Sequence, residues 1–274
     1  MKGLFQLTRP ANLLIAFLSI FIGGFVTGTI QPAAKLILAC FSGMLIAGGA
    51  NSINDFFDVE IDRINKPNRP LPAGRITRKQ TYVFSLLLFA LGTGLGAFIH
   101  FLGFIIAFGS SGLLYMYSWR LKRTVVLGNL TVAFITGLAF VYGGLAVGRV
   151  GLAAVVGVFA FFFNWGREII KDVEDVEGDR ALGVKTLPIV YGVRVALVWA
   201  TAVLVFLMAL TLIPYFVHFF SITYLIVVAI GVDLFLLYVI ISIWRNAEPN
   251  HLRRLSFLMK LDMLMGLLAV YLGR

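Results

Sequence analysis

The chain is predicted to be an all-α, polytopic membrane protein with nine transmembrane helices, and three observations carry that prediction. Of its 274 residues, 60% are hydrophobic and 13% charged, and the mean hydropathy is +0.95, too apolar for a soluble domain of this length. Apolar runs of about 20 residues, enough to cross a bilayer, recur nine times. The basic residues fall almost entirely in alternate loops between those runs.

In order, the runs lie near 11–30, 34–56, 81–99, 101–118, 125–147, 151–170, 193–213, 220–243 and 255–273. The first reads as an anchor rather than a cleaved leader, because a second span follows directly and no A-x-A-like cleavage site stands between them. Glycines are frequent inside the spans, as close helix packing in lipid requires. The whole chain, 1–274, is read as one transmembrane domain with a weak internal repeat and with active-site loops near 57–80 and 171–192.

Topology follows from Lys and Arg. One set of loops holds Lys2 and Arg9, then the six bases from Arg63 to Lys79, then Arg120, Lys122 and Arg123, then Lys171, Arg180, Lys185 and Arg194, and last Arg245, Arg253 and Arg254. These are 18 of the 23 basic residues; Lys35, Arg149 and Arg274 lie opposite, and Arg167 and Lys260 fall within spans. The positive-inside rule places the amino terminus in the cytoplasm and, after nine spans, the carboxyl terminus outside the cell membrane. The net charge of +10 thus belongs to the inner leaflet, and nucleic acid is excluded as a partner. With one cysteine, Cys40, and three scattered histidines, disulfides and thiolate or imidazole metal sites are also excluded. Any metal must take oxygen ligands.

Ten of the thirteen acids form two clusters: Asp55, Asp58, Glu60 and Asp62, then Glu168, Asp172, Glu174, Asp175, Glu177 and Asp179. Each follows an even-numbered span, the second and the sixth, and each leads into a Leu-Pro step, Leu71-Pro72 and Leu187-Pro188. Carboxylates beside a bilayer are costly without a partner, which makes them functional candidates. At about 100° per residue, Asn51, Asn54, Asp55, Asp58 and Asp62 share an arc if the second helix runs on past the membrane edge, with Glu60 pointing away. Glu168, Lys171, Asp172, Asp175 and Asp179 share another, with Glu174 and Glu177 behind and Gly178 placed to loosen the helix before Asp179. Aspartates one turn apart repel and call for a cation between them. Mg2+ is the natural ion, since it combines one or two carboxylates with water and substrate phosphate. Arg63, Lys66, Arg69, Lys122, Lys171 and Arg180 lie along the same rim, so that acids with metal beside bases describe a pocket for pyrophosphate.

A single charged cluster at a helix end is as readily a solvated loop, and it is the pairing of two in register that favours a site. Arg75, Arg78, Lys79, Arg253 and Arg254 are read as topology signals. Asp233 and Asp262, within the eighth and ninth spans, are assigned to interhelical hydrogen bonds or a cavity, and His100 and His218 to an outer interface.

The stretch NDFFDVEID, Asn54 to Asp62, with its RINKPNRPLPAG tail, resembles the first signature of the UbiA family of intramembrane prenyltransferases, NDxxDxxxD. Asp175 and Asp179 resemble the second, DxxxD. The resemblance covers nearly the whole chain and implies a UbiA-type bundle of nine helices around a central cavity. It further implies that Asn54, Asp58 and Asp62, with Asp55 as fourth member, and Asp175 with Asp179 face Mg2+ and pyrophosphate. Asp172 precedes the second pair by one turn. YSWRLKR, Tyr117 to Arg123, is similar to the family's tyrosine-and-lysine segment, which makes Lys122 a pyrophosphate contact and leaves Tyr115 or Tyr117 as the matching tyrosine.

The expected activity is Mg2+-dependent prenyl transfer from a prenyl diphosphate, geranylgeranyl diphosphate by resemblance, to a lipophilic acceptor within the lipid bilayer, with no obligatory protein partner. The RINKPNRPLPAGRIT and REIIKDVEDVEGD segments look most like the archaeal ether-lipid branch of the family, whose acceptor is geranylgeranylglyceryl phosphate. An aromatic acceptor such as 4-hydroxybenzoate or a quinone precursor is the alternative of the same class. A cation or phosphate transporter is the alternative of another class, although its charges belong near the midplane and these lie at the rim. A CDP-alcohol phosphotransferase is excluded because no D-G-x-x-A-R element is present. No residue stands out as the base for the acceptor hydroxyl.

Overall fold

The computed structural model describes residues 2–181 and 183–273, which form helices and turns with no strand among them. In chain order the helices are α1 (Lys2–Leu7), α2 (Pro10–Phe25), α3 (Ala33–Phe57), α4 (Val59–Asn65), α5 (Arg78–Ala97), α6 (Phe101–Trp119), α7 (Leu127–Ala146), α8 (Val150–Glu174), α9 (Val176–Ala181), α10 (Leu187–Tyr191), α11 (Val193–Phe216), α12 (Ile222–Val227), α13 (Leu234–Arg245) and α14 (Pro249–Leu272). A π-helical turn, Val228–Asp233, joins α12 to α13 into one span. Eight of these spans are long and apolar enough to cross a membrane, and α2, at 16 residues, is a shorter ninth. The all-α reading with nine spans therefore holds. Arg274, counted above among the outer bases, lies outside the described residues.

Local chemistry sets the boundaries. Pro10 opens α2, where its missing N–H and fixed φ suit the first helical turn. Thr77 caps α5 in a reciprocal box, with its Oγ1 accepting from the Gln80 amide while Gln80 Oε1 accepts from the Thr77 amide. Large apolar side chains coat the outside: Phe98 is 75% exposed and Phe108 66%. In water such a surface would aggregate, so it identifies a multi-pass membrane protein.

The helices gather into two compact units. The first comprises Met1–Lys122 with Leu138–Ala154. Its hub is α3, which packs against α2, α5 and α6 around buried Ile20, Leu36, Ile46, Ile53 and Phe89. Ser42, fully buried on α3, donates to the Gly92 carbonyl at 2.7 Å and meets the Tyr142 hydroxyl at 2.9 Å, which satisfies a group that would be costly to bury alone. Helices α2 and α7 touch backbone to backbone: a Cβ on Gly23 would fall 2.2 Å from the Phe140 carbonyl oxygen, and one on Gly143 1.9 Å from that of Ile20. At one end of this unit Asn51 donates to the Thr8 carbonyl at 2.8 Å. At the other, Arg149 reaches the Thr27 carbonyl at 3.4 Å.

The second unit comprises Arg123–Gly137 with Val155–Arg274. There α11 packs on α13, while α12 and the π turn pack on α14. Tyr224 donates to the Thr211 carbonyl at 2.7 Å, and Thr211 Oγ1 lies 3.2 Å from Asp233 Oδ1. Asp233 thus makes the interhelical hydrogen bond expected of it, and Asp262 is buried in α14.

Candidate active site

Both acidic motifs are built the same way. Helix α3 stops at Phe57, Asp58 takes a non-helical conformation (φ −95°, ψ 6°), and α4 restarts at Val59. Helix α8 stops at Glu174, and α9 restarts after Asp175. The expectation of one uninterrupted helix is corrected here: the helix breaks at Asp58 in the first motif and at Asp175 in the second. The second break falls at Asp175 and not at Gly178, which lies inside α9. The ladder survives both breaks, because the Asp58 amide reaches Asn54 O at 3.0 Å and the Asp62 amide Asp58 O at 2.8 Å, with the same pattern from Asp175 to Lys171 and from Asp179 to Asp175, both 2.9 Å. An offset of 117 residues relates Asp55 to Asp172, Asp58 to Asp175 and Asp62 to Asp179, and α3 and α8 each have 25 residues.

In the first unit the acids are held by the chain's own cations. Asp55, whose side chain is 3% exposed, accepts from Arg9 at 2.5 Å and from Arg69 at 3.1 Å. The same Arg69 Nη1 donates to Asp62 Oδ2 at 2.5 Å, so one guanidinium spans two acids two turns apart. Lys122 is ion-paired with Asp58 and also donates to Asn54 Oδ1 at 3.0 Å. Asn51 donates to the Thr8 carbonyl at 2.8 Å, one residue from the Arg9 that holds Asp55. Glu60 points away as expected, pairing with Arg63 at 2.6 Å on an exposed face. Arg63 therefore stands with Glu60 and apart from Asp58 and Asp62. Below the motif Phe57 meets the Tyr115 ring edge-on at 5.8 Å and Phe56 packs on Tyr82 at 5.1 Å, an aromatic wall under the charged rim. Tyr117 is half-buried on α6.

The acids of the second unit are held by a different set of groups. Asp172 accepts from Asn129 of α7 at 2.8 Å. Lys171 Nζ is held by both oxygens of Glu168, at 2.9 and 3.2 Å. Glu168 also accepts from Arg167 at 3.0 Å, while Arg167 Nε reaches the Ser256 carbonyl at 3.1 Å. Asp175 is exposed. Burial, and then the charge of Asp175, push Asp179 up to about 6 against the opposing pull of Lys171. Glu174 accepts from Arg253 at 2.9 Å, so Arg253, which lies in the first turns of α14 and not in a loop, is a structural partner as well as a topology signal. Asn129 and Arg167 escaped the sequence reading. The only signal for either was a polar residue in an apolar run.

Among the described residues no three Asp, Glu, His or Cys side chains form a ready metal cage. The donor set still fits Mg2+, which needs only one or two carboxylates when water and phosphate complete its shell. The repelling pair Asp175 and Asp179, one turn apart, is such a set.

A rim of paired acids and cations over aromatic walls, on helices of a membrane bundle, is the setting for a phosphorylated substrate with a lipid tail. The chain belongs to the UbiA prenyltransferase family, whose pattern it matches over residues 15–263. It is 37% identical over 273 residues to the digeranylgeranylglyceryl phosphate synthase of Methanothermobacter thermautotrophicus, covering all of this chain and 96% of that one. A structure solved in work on digeranylgeranylglyceryl phosphate synthase in membranes superposes with a TM-score of 0.88 at 35% identity, covering 99% of this chain and 97% of that one. A UbiA homolog from Archaeoglobus fulgidus bound to GPP and Mg2+ shares the fold, with a TM-score of 0.74 at 22% identity over 98% of this chain and 99% of that one.

Proposed function

We propose that this prenyltransferase moves a geranylgeranyl group from its diphosphate to the free hydroxyl of geranylgeranylglyceryl phosphate, as its full-length relatives are named for. The observation that carries the reading is the set of cations already docked on the first motif, Lys122 on Asp58 and Arg69 on Asp55 and Asp62. A diphosphate arriving there meets donors whose orientation is fixed beforehand.

In this reading both motifs take part in one transfer reaction within a single functional domain. Asn54, Asp58, Asp62, Asp175 and Asp179 would hold divalent metal, for which the Mg2+ bound by the Archaeoglobus fulgidus homolog is support. Bound there, the ion would offset charge on the departing pyrophosphate. Lys122, Arg69 and Lys171 bind its oxygens, with Arg63 at the outer edge. Asp55 fixes Arg9 and Arg69, and Asp172 with Asn129 steadies α8. The C1–O bond of the allylic diphosphate breaks, the acceptor oxygen bonds to C1, and the hydroxyl proton is released. Tyr115, Tyr117 and Phe57 line the carbon side, where aromatic faces favour a developing allylic cation and keep water out. The loops bearing both motifs face the cytoplasm, following the distribution of Lys and Arg.

Purified protein with radiolabelled geranylgeranyl diphosphate and Mg2+, offered geranylgeranylglyceryl phosphate or 4-hydroxybenzoate separately, tests this. Label in the ether lipid alone is expected. Label in the aromatic acid alone would move the enzyme to the aromatic branch.

A further inference from the structure

The turn before α5 carries two charges that the site leaves unused. Arg75 and Lys79 are exposed, and among the described residues neither has a carboxylate within 4.0 Å. Their neighbours Arg63 and Arg78 share Glu60. Arg75 is steadied only by neutral groups, the Gln6 amide oxygen at 3.3 Å and the Asn68 carbonyl.

These two cations edge a groove of about 490 Å³, whose wall is formed by Leu4, Ile76, Val83 and Leu87. Lys79, Val83, Leu87 and Leu91 recur every four residues on one face of α5. The three apolar members are 46%, 55% and 59% exposed. Twelve residues at 1.5 Å each make this stripe roughly 18 Å long, slightly more than one leaflet of a hydrocarbon core about 30 Å thick. Charge at the water edge followed by one leaflet of apolar surface is the profile of a single phospholipid. A planar guanidinium fork beside a mobile ammonium suits a phosphate ester. A soluble anion would make no use of the stripe, and a protein partner would not require this gradient.

We propose that this groove holds an anionic lipid of the surrounding bilayer, with its phosphate on Arg75 and Lys79 and one chain along Val83, Leu87 and Leu91. The site is separate from the catalytic rim but tied to it. Arg75 also lines a second recess, of about 470 Å³, together with Lys66 and Arg69, and Arg69 holds Asp55 and Asp62. A lipid seated on Arg75 would steady the loop that supplies Arg69.

Native mass spectrometry of the full chain titrated with dioleoyl phosphatidylglycerol reads the binding directly, with dioleoylglycerol as the phosphate-free control. Arg75→Gln/Lys79→Gln should weaken phosphatidylglycerol about 30-fold, from two basic groups each at the usual strength beside an anionic lipid surface, and leave dioleoylglycerol unchanged. Leu87→Gln should weaken both lipids. Unchanged phosphatidylglycerol binding in the double variant, or equally effective displacement by inorganic phosphate at the same concentration, would overturn the proposal. So would a raised KM for the prenyl acceptor in the double variant with its phosphatidylglycerol binding intact, since that assigns the groove to substrate.

Discussion

Arg69 Nη1 lies 2.5 Å from Asp62 Oδ2, which ties a loop residue to the last acid of the first motif while the same nitrogen also reaches Asp55. Both carboxylates are almost wholly buried, so removing the guanidinium strands charge. Arg69→Ala should cost about 3 kcal/mol, the low end for breaking a buried pair, because Asp55 keeps Arg9. Arg69→Lys should recover part of that loss, since one nitrogen makes both contacts and an ammonium supplies such a donor on a shorter stem. Thermal unfolding in detergent reads this, and an unchanged midpoint in Arg69→Ala would refute the bridge.

Asp58→Ala and Asp175→Ala should each lower kcat by roughly 10²–10³-fold, the usual loss when one preorganised charge at the leaving group is removed. Glu60→Ala and Glu174→Ala should stay near wild type in turnover. Glu174→Ala frees Arg253 and should change stability by less than about 1 kcal/mol, given that Arg253 is 67% exposed. Turnover is compared at saturating donor and Mg2+, and full activity in either aspartate variant would remove that residue from the site.

Asp179 should impose a pH dependence on metal use. Its folded pKa is raised to about 6, so in the metal-free protein its favourable contribution is complete below the unfolded value near 4 and is lost as pH rises through about 6. Metal binding needs the charged form and runs the other way. Apparent Mg2+ affinity should therefore rise between pH 5 and pH 7, and Asp179→Asn should flatten that slope. Mg2+ titrations of initial rate at several pH values measure it.

Donor and metal should strengthen each other reciprocally. A non-reactive diphosphate analogue should bind more weakly when Mg2+ is chelated, and the difference should shrink in Asp62→Asn/Asp179→Asn. A prenyl alcohol of equal length should show little dependence on the ion. Equal dependence for alcohol and diphosphate in calorimetry would mean that the ion supports the fold and not the ligand.

Topology is open to labelling. A cysteine at Asn68 should react only from the cytoplasmic face and one at Arg149 only from the other. Arg149 is chosen over Gly148, whose φ of 71° would strain any side chain there. Reversed labelling would invert the assignment.

Much of this was legible because lipid leaves a sequence few options: nine apolar runs and one-sided bases gave the bundle, and acids near a bilayer had to have a purpose. What escaped depended on partners distant in sequence. Asp55 and Asp62 share a face by helical arithmetic, but their common holder Arg69 comes from a loop with no periodicity. Asn129 and Arg167 looked like ordinary polar residues until α7, α8 and α14 were folded. The breaks at Asp58 and Asp175 were hidden because neither proline nor glycine marks them, and Gly178 drew attention to the wrong position.

The contact of α2 with α7 has a mechanical consequence. Side chains cushion most helix pairs and let them slide by changing rotamer, but at Gly23 and Gly143 there is no cushion between main chains. Any tilt of α2 must carry the adjoining stretch of α7 with it, so the two behave as one lever. Spin labels placed on α2 and on residues 138–146 of α7 should keep a fixed separation through the catalytic cycle, whatever else in the first unit moves.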